Sequence, residues 1–181
     1  MKIRLADSNL LKDSIVDGEG LRSVIWTQGC SHHCKGCHNP ETWDFNAGVE
    51  VDVEDLKKEI DNLSLQDGIT LSGGDPFFQA KACTEIAKYA KEKRLNVWAY
   101  TGFLFENLLK NEDMKELLKY IDVLVDGPFI LKERNLNLLF RGSANQRLID
   151  VPKSLKENKV VLFDEQTYLE EDKLKRKKTY I

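Results

Sequence analysis

Three cysteines, Cys30, Cys34 and Cys37, stand in a CxxxCxxC spacing inside the polar run Gly29-Cys30-Ser31-His32-His33-Cys34-Lys35-Gly36-Cys37-His38-Asn39-Pro40. A loop this compact can wrap three thiolates around one centre, and so polar a stretch does not suit three unrelated core cysteines. Three chemistries compete for the spacing. Structural zinc needs four closed ligands, and His32, His33 or His38 can complete a Cys3His set. A chain that builds its own core has little need of such a staple, however. The segment Cys34-Lys35-Gly36-Cys37-His38 matches the CxxCH attachment pattern of c-type haem, a reading that leaves Cys30 over and lacks an export signal in front of it. A 4Fe-4S cluster with three protein ligands leaves one iron open to an exogenous ligand, and an open iron implies chemistry rather than electron storage alone. The fourth cysteine, Cys83, falls on the apolar face of a predicted helix and reads as packing.

The elements that must hold this loop follow from periodicity. Residues 22–28, with Val24, Ile25 and Trp26 at the centre, predict a buried strand running into Gly29-Cys30. Asp52 is a helix cap for residues 53–63, where Leu56, Ile60 and Leu63 share a face. A short strand over 68–71 ends at Ser72-Gly73-Gly74-Asp75-Pro76, and a helix over 77–93 places Cys83, Ile86, Ala87 and Ala90 on one stripe. A strand over 95–100, a Thr101-Gly102 turn, helical material over 103–120 and a strand over 121–126 ending at Gly127-Pro128 continue the alternation. Residues 148–151 predict a last strand. Alternating strands and helices imply an α/β fold with a parallel sheet, in which ligands gather at the carboxyl ends of the strands. Four or five units are too few for a closed barrel of about eight. The expectation is a partial (incomplete) β/α barrel with a curved, mostly parallel sheet over residues 1–155, followed by a charged C-terminal extension over 156–181.

Composition narrows the class. The 181 residues suit one domain, and 41% hydrophobic content is enough for a core. With 27 Lys and Arg against 30 Asp and Glu the formal net charge is -3, which excludes a global field for nucleic acid as the default. No apolar stretch approaches the roughly 20 residues of a membrane span, and the first residues carry charge too early for a secretory signal. A cytoplasmic protein with reduced thiols is expected. The extension runs from acidic (Asp164, Glu165, Glu170, Glu171, Asp172) to basic (Lys173, Lys175, Arg176, Lys177, Lys178). It reads as a solvated terminal helix, with a docking surface as the competing reading.

The CxxxCxxC loop after the first strand and Gly73-Gly74-Asp75 after the second together resemble the radical S-adenosylmethionine superfamily. Ser14-Ile15-Val16-Asp17-Gly18-Glu19-Gly20-Leu21-Arg22 is similar to the lead-in of its glycyl-radical activating branch. Four further segments resemble the anaerobic ribonucleoside-triphosphate reductase activators: Cys37-His38-Asn39-Pro40-Glu41-Thr42-Trp43, Tyr100-Thr101-Gly102-Phe103, residues 122–129, and Phe140-Arg141-Gly142-Ser143-Ala144-Asn145-Gln146-Arg147. The likeness covers residues 13–155.

The resemblance implies that Cys30, Cys34 and Cys37 bind a 4Fe-4S cluster whose open iron takes S-adenosyl-L-methionine, and that the turn of Gly73, Gly74 and Asp75 presents backbone acceptors to its amino group. Reductive cleavage then gives a 5'-deoxyadenosyl radical, which takes hydrogen from a glycine of a partner protein. The implied partners are the large subunit of an anaerobic ribonucleoside-triphosphate reductase and a flavodoxin-like or other low-potential electron donor. Another glycyl-radical enzyme is the alternative partner, and a zinc-binding interaction module is the rival from a different class. Two positions depart from the wider superfamily. Gly36 stands where many members carry an aromatic residue, which leaves the main chain there to read adenine, and Asp75 replaces the commoner Glu. Asp126 has two readings, facing the methionine moiety or a cation, or capping the Gly127-Pro128 turn. Arg141 either pairs with a carboxylate of the cofactor or partner, or sits in a surface ion pair. His38 can tune the cluster from outside its ligand set, His32 and His33 read as exposed loop residues, and Trp26, Trp43 and Trp98 as core or shielding aromatics.

Overall fold

The computed structural model describes residues 1–179, with side chains through residue 174. Eight strands form one sheet: β1 (Lys2–Leu5), β2 (Leu11–Ser14), β3 (Arg22–Thr27), β4 (Val49–Asp52), β5 (Gly68–Gly73), β6 (Asn96–Tyr100), β7 (Val123–Asp126) and β8 (Arg147–Asp150). The order is β4-β1-β3-β5-β6-β7-β8, with β2 also on β3. The centre, β3-β5-β6-β7, is parallel, while β1, β2, β4 and β8 join antiparallel. Parallel strands need long crossovers, and α1 (Val53–Asp61), α2 (Ala80–Glu92), α3 (Phe105–Leu108) and α4 (Glu112–Leu118) lie in them. Helix α5 (Val151–Glu157) follows β8 and α6 (Glu165–Thr179) ends the described chain.

The sheet has two unlike faces. Ile25, Ile69, Leu71, Val97, Ala99 and Leu124 belong to the core under the helices, as does the α2 stripe of Cys83, Ile86, Ala87 and Ala90, each with no exposed surface. Burying one Leu or Ile in this way contributes about 1.5–3 kcal/mol. Alternate residues point the other way. Trp98, Val123, Val125 and Leu148 form a second cluster, with Tyr100, Phe140 and Phe163 packed on it and no helix of the first core. Trp26 pairs with Ser72 across β3 and β5, and Tyr100 with Val125 across β6 and β7, so one register row crosses this second face.

The expected strands at the centre are present, with three departures elsewhere. Strands β1, β2 and β4 were not expected; each has only four residues and an exposed, charge-bearing face, too short for periodicity to stand out. The helix expected from residue 77 begins at Ala80, after a 3-10 turn over Pro76–Gln79 that Asp75 caps by accepting Phe77 N at 3.0 Å. The helical stretch 103–120 is two helices, because Asn111 caps α4 by accepting Met114 N at 3.1 Å.

The lead-in to β3 is fastened from below by a buried guanidinium. Arg22 donates to Glu19 O at 2.8 Å, Thr70 Oγ1 at 2.8 Å and Asn96 O at 2.9 Å, and burial pulls its pKa down to about 10. At the other end of the chain the expected solvated extension is anchored: Asp150 N donates to Val161 O and Phe163 N to Leu148 O, both at 2.9 Å. The boundary expected between residues 155 and 156 falls inside α5. The basic side chains of Lys175, Arg176, Lys177 and Lys178 lie outside the described residues. Among the described residues no helix is long and apolar enough to cross a membrane.

Candidate functional site

The carboxyl ends of β3, β5, β6 and β7 deliver Cys30, Gly73-Gly74, Thr101-Gly102 and Gly127 to one cavity of about 630 Å³. Trp26, Ser72 and Tyr100 line it from the second face of the sheet, and the lead-in residues Ile15, Val16 and Asp17 line its mouth. A second cavity, about 520 Å³, lies by Met1, Lys2 and Met114 and shares no residue with it.

The cysteine loop leaves β3 through Gly29, whose φ of +104° lies in the left-handed region that favours glycine. Its ends are tied by Gly29 N to Thr42 O at 2.8 Å and Cys30 N to Trp43 O at 3.1 Å, and Cys37 N donates to Cys34 O at 3.0 Å. Cys30 is buried and Cys34 and Cys37 are half-buried, and all three line the cavity. Burial pushes the Cys30 thiol up to about 11, helped by the negative potential of Asp75 and the other two cysteines and opposed by a backbone hydrogen bond from His32. A buried thiol whose ionisation is disfavoured by Asp75 and by the other two cysteines suits a cationic centre, which relieves that repulsion and releases the Cys30 proton. Among the described residues no three His, Cys, Asp or Glu side chains converge on a single metal ion. A cluster gives each cysteine its own iron and leaves the fourth without a protein ligand, so three cysteines from one loop fit a 4Fe-4S group.

The opposite wall is the turn after β5. Gly74 N donates to Thr27 O at 2.7 Å and Asp75 N to Gly29 O at 3.1 Å, drawing the turn against the start of the cysteine loop. A methyl group on Gly74 would meet Gly29 O at 2.5 Å, so no larger residue fits there. Asp75 itself has no exposed surface and turns inward. One carboxylate oxygen accepts His32 Nε2 at 2.8 Å, Thr101 Oγ1 at 2.8 Å and Gly102 N at 3.0 Å, while the other accepts Phe77 N. A carboxylate only accepts, so Nε2 of His32 carries the proton. This knot joins the ends of β5 and β6 to the cysteine loop. His32, expected to be an exposed loop residue, is instead clasped by Asp75 and packs on Phe103 at 4.5 Å.

Of the residues singled out in the sequence, Cys30, Cys34, Cys37, His38, Gly73, Gly74 and Arg141 line the cavity, and Gly36, Asp75 and Asp126 do not. His38 is exposed and stacks beside Phe129 at 5.1 Å. Gly36 sits at φ +78° against Leu131. Asp126 is fully buried, caps α3 by accepting Phe105 N at 2.8 Å and pairs with Arg147. Arg147 also grips Glu106 at 2.8 and 3.0 Å, and its hydrogen bonds with Asp126 first and Glu106 second hold its pKa above the ordinary arginine value. Arg141 bonds Glu165 of α6 at 2.7 Å. The residues that sequence reasoning missed are His32, Thr101 and the mouth residues Ile15 to Asp17. Position just beyond a parallel strand was the available signal for Thr101, while the others depend on contacts distant in the chain.

A cavity lined by three cysteines from one loop matches what comparison returns. Residues 16–149 match the family model of a 4Fe-4S single cluster domain. Proteins named anaerobic ribonucleoside-triphosphate reductase-activating protein are 38% identical over 143 residues in Haemophilus influenzae (73% of this chain, 89% of that protein) and 36% identical over 141 residues in Enterobacteria phage T4 (74% and 86%). The protein of that name in Escherichia coli is 32% identical over 141 residues (73% and 90%). Among solved structures, QueE from Escherichia coli aligns with 56% of this chain and 53% of its own at 15% identity and a TM-score of 0.46, too slight a likeness to bear on the fold. The fold and site thus define a 4Fe-4S single cluster domain protein. The chain belongs to the family of anaerobic ribonucleoside-triphosphate reductase-activating proteins.

Proposed function

We propose that this chain activates an anaerobic ribonucleoside-triphosphate reductase by generating a glycyl radical on its large subunit, with Cys30, Cys34 and Cys37 holding a 4Fe-4S cluster. When bound, the cluster and S-adenosyl-L-methionine supply a low-potential electron and the reductive cleavage that yields a hydrogen-abstracting 5'-deoxyadenosyl radical. The observation that carries the reading is the convergence of the three cysteines and Gly73-Gly74 on one cavity at the ends of parallel strands. The chain's own residues bind and orient. The backbone of Gly73 and Gly74 offers acceptors for the amino group and Arg141 offers a guanidinium for the carboxylate, while the peptide at Gly36, exposed outside the cavity lining, is the contact assigned to adenine. His38 lines the cavity beside the ligands. Asp75 and Asp126 act as positioning residues, since their carboxylates are spent on holding strand ends together. Trp26 and Trp43 shield the cavity from water.

In this reading the sheet is a partial β/α barrel whose interior is the face that bears the second cluster, and the open sheet order from β4 to β8 leaves room for a protein loop to enter. Residues 1–155 carry the chemistry and 156–181 form the charged extension, in a cytoplasmic protein served by a flavodoxin-like or other low-potential donor. Anaerobic reconstitution with iron and sulfide, reduction, and quantification of 5'-deoxyadenosine test the first half. Reductant-dependent product is expected, together with a glycyl-radical signal when the reductase is added. No iron uptake with tightly held zinc would overturn the reading, and deoxyadenosine without radical transfer would point to another glycyl-radical enzyme as partner.

A further inference from the structure

The segment that begins α6 lies outside the span 16–149 matched by the family model, yet it reaches back to the cavity wall. Its start is fixed. Phe163 N donates to Leu148 O at 2.9 Å, and Asp164 caps the helix by accepting Thr167 N at 3.0 Å and Thr167 Oγ1 at 2.7 Å. From this first turn, two side chains meet the wall. The Tyr168 ring packs on Phe140 at 5.4 Å, and Phe140 sits at φ +52°, a conformation that non-glycine residues hold only when their surroundings impose it. Trp98 meets the same ring at 5.1 Å and Tyr100 Oη donates to Phe140 O at 2.8 Å, so the turn is held from both sides. Glu165 Oε1 accepts Arg141 Nη1 at 2.7 Å, and the same nitrogen donates to Leu139 O at 3.3 Å.

What remains of Arg141 is unspent. It lines the cavity, its Nε is buried without a hydrogen-bond partner, and its Nη2 makes no hydrogen bond among the described residues. A guanidinium is a planar fork that grips a carboxylate with two nitrogens, and fixing its orientation beforehand lowers the entropy lost when the ligand arrives. We propose that Glu165 is a positioning residue for ligand binding. It pins one arm of Arg141 from outside the cavity and leaves the other arm for an anionic group within. Under the function proposed above, on which this inference rests, that group is the carboxylate of S-adenosylmethionine. The Glu165 side chain is 35% exposed against 14% for Arg141, so solvent at the glutamate end screens the pair and its worth to the fold is modest. Its loss is therefore felt in ligand affinity rather than in unfolding.

The test titrates S-adenosylmethionine by equilibrium dialysis into the full-length, reconstituted and oxidised protein, where no turnover occurs. It compares wild type with Glu165→Gln, Glu165→Ala, Arg141→Ala and the double alanine variant, with urea unfolding of each as the control. Affinity is expected to fall about tenfold in Glu165→Ala and about threefold in Glu165→Gln, with unfolding midpoints close to wild type. In the Arg141→Ala background Glu165→Ala should cost nothing further, because the two act as one unit. In deoxyadenosine formation KM should rise with kcat within about twofold. Wild-type affinity in both Glu165 variants overturns the inference, as does an additive loss on top of Arg141→Ala, or a loss of stability that tracks the loss of affinity. Failure of the wild-type protein itself to bind S-adenosylmethionine overturns the inference together with the reading beneath it, a result separable from the others.

Discussion

The two walls of the cavity are built on opposite plans. The wall formed by the turn after β5 is finished before anything binds: the Asp75 carboxylate accepts four hydrogen bonds that join β5, β6 and the cysteine loop. Cys34 and Cys37 stand in the other wall half-buried, beyond His32, on the part of the loop that carries only the turn from Cys37 N to Cys34 O and the contact of Asn39 N with Cys37 Sγ. One wall stores its order in the polypeptide, and the other leaves its order to be completed by the group it holds. The difference teaches where each kind of damage should register. Injury to the cysteine wall should abolish loading with little effect on folding, and injury to the Asp75 wall should destabilise the fold.

The sharpest break of that contrast is Cys34→Ala, which should lose nearly all iron uptake on anaerobic reconstitution while Cys83→Ala keeps it. Equal iron loss in the two variants would refute the choice of three ligands. Next comes thiol reactivity in the metal-free native protein. Cys34 and Cys37 should alkylate roughly a hundredfold faster than Cys83, because burial drives the Cys83 thiol far above its usual range and denies access. Cys30, pushed up to about 11, should fall between them, as read by mass spectrometry after timed iodoacetamide treatment. Comparable labelling of Cys83 would mean that α2 opens under native conditions.

For the preformed wall, Asp75→Ala should lower unfolding free energy by about 3–5 kcal/mol, since it strands buried donors around His32 and Thr101. Urea titration of the metal-free protein measures this, and a change below about 1 kcal/mol would remove Asp75 from its structural role. The smallest effect expected is that of Thr101→Val, about 1–2 kcal/mol in the same assay, for one lost hydroxyl between Asp75 and Phe103 N. A loss as large as that of Asp75→Ala would show that the knot depends on the hydroxyl as much as on the carboxylate.

Much of this arrangement was legible in the residues because their chemistry announces itself. Cysteines three to four apart in a polar loop have few other uses, and Val24, Ile25, Leu71 and Val97 belong to strands buried on both faces, where apolar runs are nearly continuous. Helix α1 was legible for the same local reason, through the Asp52 cap and the Leu56–Ile60 spacing. What stayed hidden depends on distance along the chain. Asp75 reads as an acid at a turn that faces the ligand, and only the arrival of Thr101 and His32 from other segments shows that its carboxylate is consumed indoors. Strands β1 and β4 exist because they pair with each other over four residues, and neither carries a pattern long enough to declare itself alone.

The order in which the cavity's parts occur along the chain constrains how the protein matures. The three cysteines are synthesised before the wall that faces them, which needs residues out to Gly102, and the arm that steadies Arg141 comes last, at Glu165. At about 5–20 residues per second, the thiols spend several seconds on the ribosome beside an unfinished pocket. Iron delivered during that interval would meet a loop with its sheet only begun.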